Sequence, residues 1–173
     1  MDRDLSVAIT GTPGTGKTSL SKIFSSKQVK VISVKELAEE LGFLGELDAS
    51  DGSREIDIHR LSDEWEHNDS GMVVVEGHLS HFLDVDAIII LRCNPKILQN
   101  RLEKRGTESE ESITMRLSAA KEEISKYPFY DYLVLNDDFE NALTDLKTII
   151  LKKTSKQDFK TRVSEKLLKN LLD

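Results

Sequence analysis

The sequence predicts an α/β fold in which a doubly wound, five-stranded parallel sheet carries helices on both faces. Two observations support this prediction. Short, unbroken apolar runs such as Met72–Glu76 and Ala87–Arg92 are typical of strands covered on both faces. Segments with helical spacing of apolar residues separate these runs, as in parallel β-α-β units. The chain has 173 residues, enough to bury a proper core, so we predict a single domain over residues 1–173.

The first elements alternate between strand and helix. Leu5–Thr10 is an apolar run that predicts the first strand, and a glycine-rich stretch separates it from a helix over residues 17–25. A second strand is predicted at Val29–Ser33, and a second helix over residues 34–41. Residues 42–55 are rich in glycine and aspartate, so we expect an irregular loop there.

Helical spacing returns after this loop. Ile58, Leu61 and Trp65 lie at i, i+3 and i+7, which predicts a helix over residues 57–66, and residues 67–71 are predicted to form a turn.

The second half continues the alternation, with the two apolar runs named above as the third and fourth strands. Pro95 suits the first turn of a helix that we predict over residues 96–104, and residues 111–126 form a long helix. Asp138 is an expected N-cap for the helix that follows the fifth strand. The remaining predicted elements are that strand at 132–136, the capped helix at 139–151 and a terminal amphipathic helix at 155–173.

Composition restricts the class of protein. The net charge of −7 and the pI of about 5.2 argue against a general nucleic-acid-binding surface, so we expect no direct DNA binding. The single cysteine, Cys93, excludes an internal disulfide and fits a reducing compartment. No apolar run approaches the length of a membrane span, and residues 1–4 do not resemble a signal peptide. We therefore expect a cytoplasmic protein, or a nuclear one in a eukaryote, without a membrane partner.

The stretch Gly11-Thr-Pro-Gly-Thr-Gly-Lys17-Thr18 matches the phosphate-binding pattern G-x-x-x-x-G-K-[ST] between a strand and a helix. Its glycines let backbone N–H groups surround a polyphosphate, its lysine reaches the β- and γ-phosphates, and its last hydroxyl can bind Mg²⁺. The chain is therefore predicted to bind a nucleoside triphosphate. The residues expected to contact ATP are Gly11, Thr12, Gly14, Thr15, Gly16, Lys17 and Thr18 of this stretch, and Ser19 directly after it.

A carboxylate ends the third strand, at the position where phosphate-loop proteins place a magnesium-binding acid. Glu76 is therefore predicted to hold Mg²⁺ together with Thr18, although an ordinary surface glutamate remains an alternative. Gly77 leaves room for a second substrate, and His78 is placed to orient a phosphate or a water, with a structural histidine as the alternative.

Three arginines follow the fourth strand. Arg101 and Arg105 lie at i and i+4, on one helix face, and Arg116 follows on the next helix. Phosphoryl transfer needs positive charge on the equatorial oxygens and exclusion of water, so we predict that these arginines form a lid over the transferred group. A solvated, charged helix is the alternative.

Residues 5–106 resemble the adenylate kinase isoenzyme 6-type family of archaea and eukaryotes. The matching motifs are residues 8–18, Val34-Lys-Glu-Leu-Ala38, Val74-Val-Glu-Gly-His-Leu-Ser-His81, Leu91-Arg-Cys-Asn-Pro-Lys96 and the arginines up to Gly106. The resemblance implies a sheet of the P-loop kinase type, a short lid at about 104–114 with Arg105 on ATP, and a monophosphate-binding region at about 34–57. It also implies an acceptor site that includes Glu36, Gly77 and His78.

Residues 105–147 instead resemble the C-terminal part of guanylate kinases. That resemblance implies that Arg105 and Arg116 bind the transferring phosphates, and that Asn136 and Asp137 lie beside the ATP base. The segment that binds GMP in guanylate kinases has no counterpart in residues 26–70.

Together these features predict a Mg·ATP-dependent nucleoside monophosphate kinase, with AMP as the favoured acceptor. One alternative is an ATPase that acts in small ribosomal subunit assembly with a ribosomal protein partner, as members of the first family do. Further alternatives are a guanylate kinase and a small-metabolite kinase of shikimate kinase-like size.

Overall fold

The protein is described by a computed structural model that covers residues 5–25, 29–49, 53–66, 71–125 and 129–152. The helix predicted over 155–173 and most of the turn predicted over 67–71 lie outside these residues. Within them, no helix is long and apolar enough to cross a membrane.

Five parallel strands form the central sheet, as the sequence predicts. The spatial order is β2-β5-β1-β6-β7, so β1 lies in the middle and the chain crosses it once, between β5 and β6. In register, Ile9 of β1 faces Glu76 of β5 on one side and Ile89 of β6 on the other. The strands are β1 Leu5–Thr10, β2 Val29–Ser33, β5 Met72–Glu76, β6 Ala87–Arg92 and β7 Tyr132–Leu135.

The described residues contain six α-helices, five between strands and one after the last strand, and three of them begin at an Asp or Asn cap. Asp57, Asn94 and Asp138 each accept a hydrogen bond from a backbone N–H of the first helical turn, at 3.2, 3.0 and 2.9 Å. The helices are α1 Lys17–Phe24, α2 Val34–Glu40, α3 Ile58–Glu64, α4 Pro95–Arg105, α5 Glu110–Ser125 and α6 Phe139–Lys152.

The prediction of an irregular loop over residues 42–55 is wrong, because this segment contains a two-stranded antiparallel hairpin. β3 Leu44–Leu47 pairs with β4 Arg54–Ile56, with an irregularity between its two registered pairs. The strands are short and largely exposed, so they carry no unbroken apolar run by which a sequence pattern would reveal them.

The two faces of the sheet pack against different helices. Leu20 of α1 and Leu146 of α6 pack with Val74 on one face, whereas Val73 and Val75 join α2 and α3 on the other. Alternate residues of β5 therefore enter opposite cores, which is the side-chain alternation of a strand buried on both faces. Aliphatic residues dominate both cores. Because the strands of this sheet are parallel, their carboxyl ends lie along one edge, where the candidate site residues lie.

Candidate active site

The glycine-rich loop joins the end of β1 to the start of α1. Gly11 has φ of +141°, and a Cβ atom there would lie 2.3 Å from the carbonyl oxygen of Leu91, so only glycine permits this approach to β6. The Thr15 hydroxyl donates to the Thr12 carbonyl at 2.9 Å and folds the loop upon itself. No side chain caps the N-terminus of α1, so its backbone N–H groups remain directed at an anion site.

Two backbone carbonyl groups of this loop hold the Lys17 side chain. Its ammonium donates to the carbonyl oxygens of Gly11 at 2.6 Å and Thr12 at 2.9 Å, and the residue is 9% exposed. Burial lowers the pKa of Lys17 to about 8, against the opposing attraction of Glu76 and Glu123. The loop thus fixes one positive charge beside its N–H groups.

Thr18 and Glu76 bring two oxygen ligands together. The Thr18 hydroxyl donates to Glu76 Oε1 at 3.2 Å. Burial raises the pKa of the Glu76 carboxyl, while the Thr18 hydrogen bond and the charge of Lys17 oppose that rise. Among the described residues no three His, Cys, Asp or Glu side chains gather into a metal centre. A hydroxyl and one carboxylate suit Mg²⁺, which takes its other ligands from water and substrate phosphates.

Lys17 and Thr18 line one cleft, which we call the phosphate cleft, and Glu76 directly precedes its lining residue Gly77. It has a volume of about 260 Å³ and lies at the N-terminus of α1. His78 is exposed at its wall, and the pKa of this imidazole is lowered by desolvation and by the charges of Lys17 and Arg116, so the ring is neutral at pH 7. The lining residues are Pro13, Gly14, Gly16, Lys17, Thr18, Ser19, Gly77, His78 and Arg105.

The loop that carries His78 is anchored to the end of β1. The Thr10 hydroxyl donates to the His78 carbonyl at 3.0 Å and lies 2.9 Å from Nδ1 of His81. The Ser80 hydroxyl donates to the Gly77 carbonyl at 2.8 Å. Sequence reasoning did not identify Thr10 as a site residue. The available signal was a polar residue at the end of an apolar run, directly before Gly11.

The three predicted lid arginines do not meet in the phosphate cleft. Arg105 lines it, whereas Nη2 of Arg101 donates to the Asn136 carbonyl at 2.8 Å. Arg116 instead forms an ion pair with Glu108, with 2.6 Å between Nε and Oε2. The helix face shared by Arg101 and Arg105 was predicted correctly, but the residues that this face meets lie far away in the sequence.

Two further clefts adjoin the phosphate cleft. The cleft beside α4 has a volume of about 410 Å³ and shares Gly14, Gly16, Ser19 and Arg105 with it. Its other lining residues are Arg101, Lys104, Asn136 and Phe139.

The cleft beside α2 measures about 240 Å³ and shares Thr18 with the phosphate cleft. Glu36 lies here, but its carboxylate accepts a hydrogen bond from the Ser33 backbone N–H in a capping box, and its pKa is lowered by the bonds to Ser33. The other lining residues are Ser21, Lys22, Ser25, Val31, Ser33 and Glu76.

Comparison with known proteins gives two kinds of match. A family model described as "AAA domain" matches residues 7–126. A Methanocaldococcus jannaschii protein named "Putative adenylate kinase" is 37% identical over 147 residues, which cover 81% of this chain and 82% of that protein. An Archaeoglobus fulgidus protein of the same name is 42% identical over 113 residues, covering 65% of this chain and 60% of its own length.

The fold and the glycine-rich loop define a P-loop protein of the kinase type. The shikimate kinase of Bacteroides thetaiotaomicron shares this fold, with a TM-score of 0.53 at 16% identity over 85% of this chain and 98% of that one. The chain belongs to the AAA domain family, and to the same family as the M. jannaschii relative.

Proposed function

We propose that this protein is a Mg·ATP-dependent nucleoside monophosphate kinase with AMP as its acceptor, that is, an adenylate kinase. Family membership beside the archaeal relatives supports phosphotransferase activity. The observation that carries the proposal is the row of three clefts. The phosphate cleft adjoins both of the others, whereas the outer two share no lining residue. A kinase needs such an arrangement, because the phosphate chain of the donor must lie between the donor base and the acceptor.

The donor binds on one side of this row. The N–H groups of the loop and the ammonium of Lys17 hold its phosphates, and its base lies in the cleft beside α4, where Phe139 supplies an aromatic surface. Thr18 and Glu76 hold Mg²⁺, which neutralises charge on the phosphate oxygens when bound.

Transfer is an in-line displacement without a covalent enzyme intermediate. Arg105 supplies positive charge to the equatorial oxygens from the lid side, and the neutral imidazole of His78 orients the attacking group. The acceptor enters from the cleft beside α2, which Glu76 lines. The protein contributes mainly by positioning and electrostatics, since phosphoryl transfer asks little covalent chemistry of it.

A panel of acceptors tests this proposal. Purified protein with saturating Mg·ATP is given AMP, dAMP, GMP, CMP, UMP or no acceptor, and the nucleotide products are separated. We expect AMP and dAMP to give the highest kcat/KM, because a wrong base leaves buried polar groups unpaired at about 1–3 kcal/mol each. Lys17→Ala is the control and should lower turnover by orders of magnitude. A GMP value ten times that of AMP would refute the acceptor assignment.

ATP hydrolysis is the second candidate, and the charge of the acceptor side favours it. Two acidic residues, Glu36 and Glu76, line the cleft beside α2, and Lys22 is the basic residue among its described lining residues. This excess of negative charge disfavours an anionic monophosphate. Water would then be the acceptor, oriented by His78. The net charge of −7 suits a basic partner such as a ribosomal protein. ADP formation without any monophosphate, accelerated by such a partner, would favour this candidate.

A further inference from the structure

Asn136, directly after β7, is fixed by three hydrogen bonds. Its backbone N–H donates to the Arg92 carbonyl at 2.6 Å, and its carbonyl accepts from Arg101. Its side-chain Nδ2 donates to the Thr15 carbonyl at 2.9 Å, across 121 residues of sequence. Only 2% of the residue is exposed. The backbone of Asn136 is therefore held in place while its side chain contacts the glycine-rich loop.

This contact determines the direction of the peptide group between Thr15 and Gly16. The described peptide bonds are all trans, so the Thr15 carbonyl and the Gly16 N–H point in opposite directions. Asn136, which lines the cleft beside α4, holds the Thr15 carbonyl on its own side. The Gly16 N–H therefore points away from Asn136. Gly16 lines both clefts, whereas Asn136 lines only the cleft beside α4, so the direction away from Asn136 is that of the phosphate cleft.

The sequence of the loop permits this close approach. A Cβ atom on Gly16 would lie 2.4 Å from Nδ2 of Asn136, and the residue has φ of +91°, so glycine is required for both reasons. The amide also has a defined orientation, because Oδ1 in place of Nδ2 would set two acceptors against each other.

We propose that Asn136 is a positioning residue of the P-loop, which orients the Gly16 amide for phosphate by holding the Thr15 carbonyl. It acts through the loop and does not read the nucleotide base. The inference rests on the nucleotide-binding part of the proposed function and is independent of the acceptor.

Binding measurements separate these two roles of Asn136. Asn136→Ala removes the donor without adding charge, and Asn141→Ala is the matched control, since Asn141 is exposed on α6. Calorimetry gives the dissociation constants for Mg·ATP and for magnesium tripolyphosphate, which has no base. We expect Asn136→Ala to weaken both by about tenfold, the effect of one hydrogen bond, and the control to weaken neither. Unchanged binding of tripolyphosphate, with or without a loss for ATP, would overturn the inference.

A spectroscopic readout excludes a merely structural effect. In ¹H–¹⁵N spectra, the Gly16 amide should shift on addition of tripolyphosphate to the wild-type protein, and this shift should shrink in Asn136→Ala. An equal shift in both proteins would contradict the proposed positioning. If the alanine variant does not fold, Asn136→Leu fills the space without a donor and carries the same expectations. None of these readouts requires an acceptor. A protein that binds tripolyphosphate but fails to phosphorylate AMP would therefore refute the adenylate kinase proposal and leave the inference on Asn136 intact.

Discussion

Nucleotide affinity should fall steeply between pH 7 and pH 9, because Lys17 loses its charge in this range. Burial lowers its pKa to about 8, so the protonated fraction falls from roughly 0.9 at pH 7 to roughly 0.1 at pH 9. If the phosphates bind only the ammonium form, the dissociation constant for Mg·ATP rises about tenfold over these two pH units. Among the described groups with shifted pKa values, His78 titrates below this window and Cys93 above it.

Isothermal calorimetry at several pH values measures this effect directly. Bound phosphates raise the pKa of Lys17, so binding at pH 8 should also take up about half a proton, which titrations in buffers of different ionisation enthalpy reveal. Lys17→Arg keeps its charge throughout and should bind more weakly but without this pH dependence. A dissociation constant that stays the same from pH 7 to pH 9, or no proton uptake at pH 8, would refute the reasoning.

Three further substitutions test the site and the core. Glu76→Gln keeps the size of the side chain but loses a metal-binding charge, so the magnesium concentration for half-maximal turnover should rise. An unchanged metal titration would leave Glu76 as a strand-end residue. Gly11→Ala forces a Cβ against the Leu91 carbonyl and should abolish ATP binding in calorimetry, whereas unaltered affinity would show that the loop tolerates the displacement. Leu146→Ala deletes a fully buried side chain between α6 and the sheet, and should lower the free energy of urea unfolding by about 2–5 kcal/mol. A loss below 1 kcal/mol would mean that this core closes around the gap.

The parts of the fold that the sequence predicts correctly are those encoded locally. The five parallel strands consist mainly of apolar residues, and Asp138 caps its helix through a backbone N–H three positions away. The hairpin of residues 44–56 was not predicted because its strands are short and largely exposed, so they carry no periodic pattern of apolar residues.

The P-loop is also encoded locally, because phosphate binding fixes the spacing of its glycine, lysine and threonine residues. The partners of that loop are not local. Asn136 was expected beside the ATP base, and its hydrogen bond to Thr15 joins residues that only the order of strands in the sheet brings together.

Arg101 and Arg105 show the limit of periodicity most directly. Helical spacing places both on one face of α4, but one turn separates them by about 6 Å along the axis. Arg101 donates to the carbonyl of Asn136, directly after β7, while Arg105 in the last turn of α4 lines the phosphate cleft. An arginine is thus structural at position 101 and available to a phosphate at position 105. The spacing of residues identifies the face, and the tertiary neighbour decides the role.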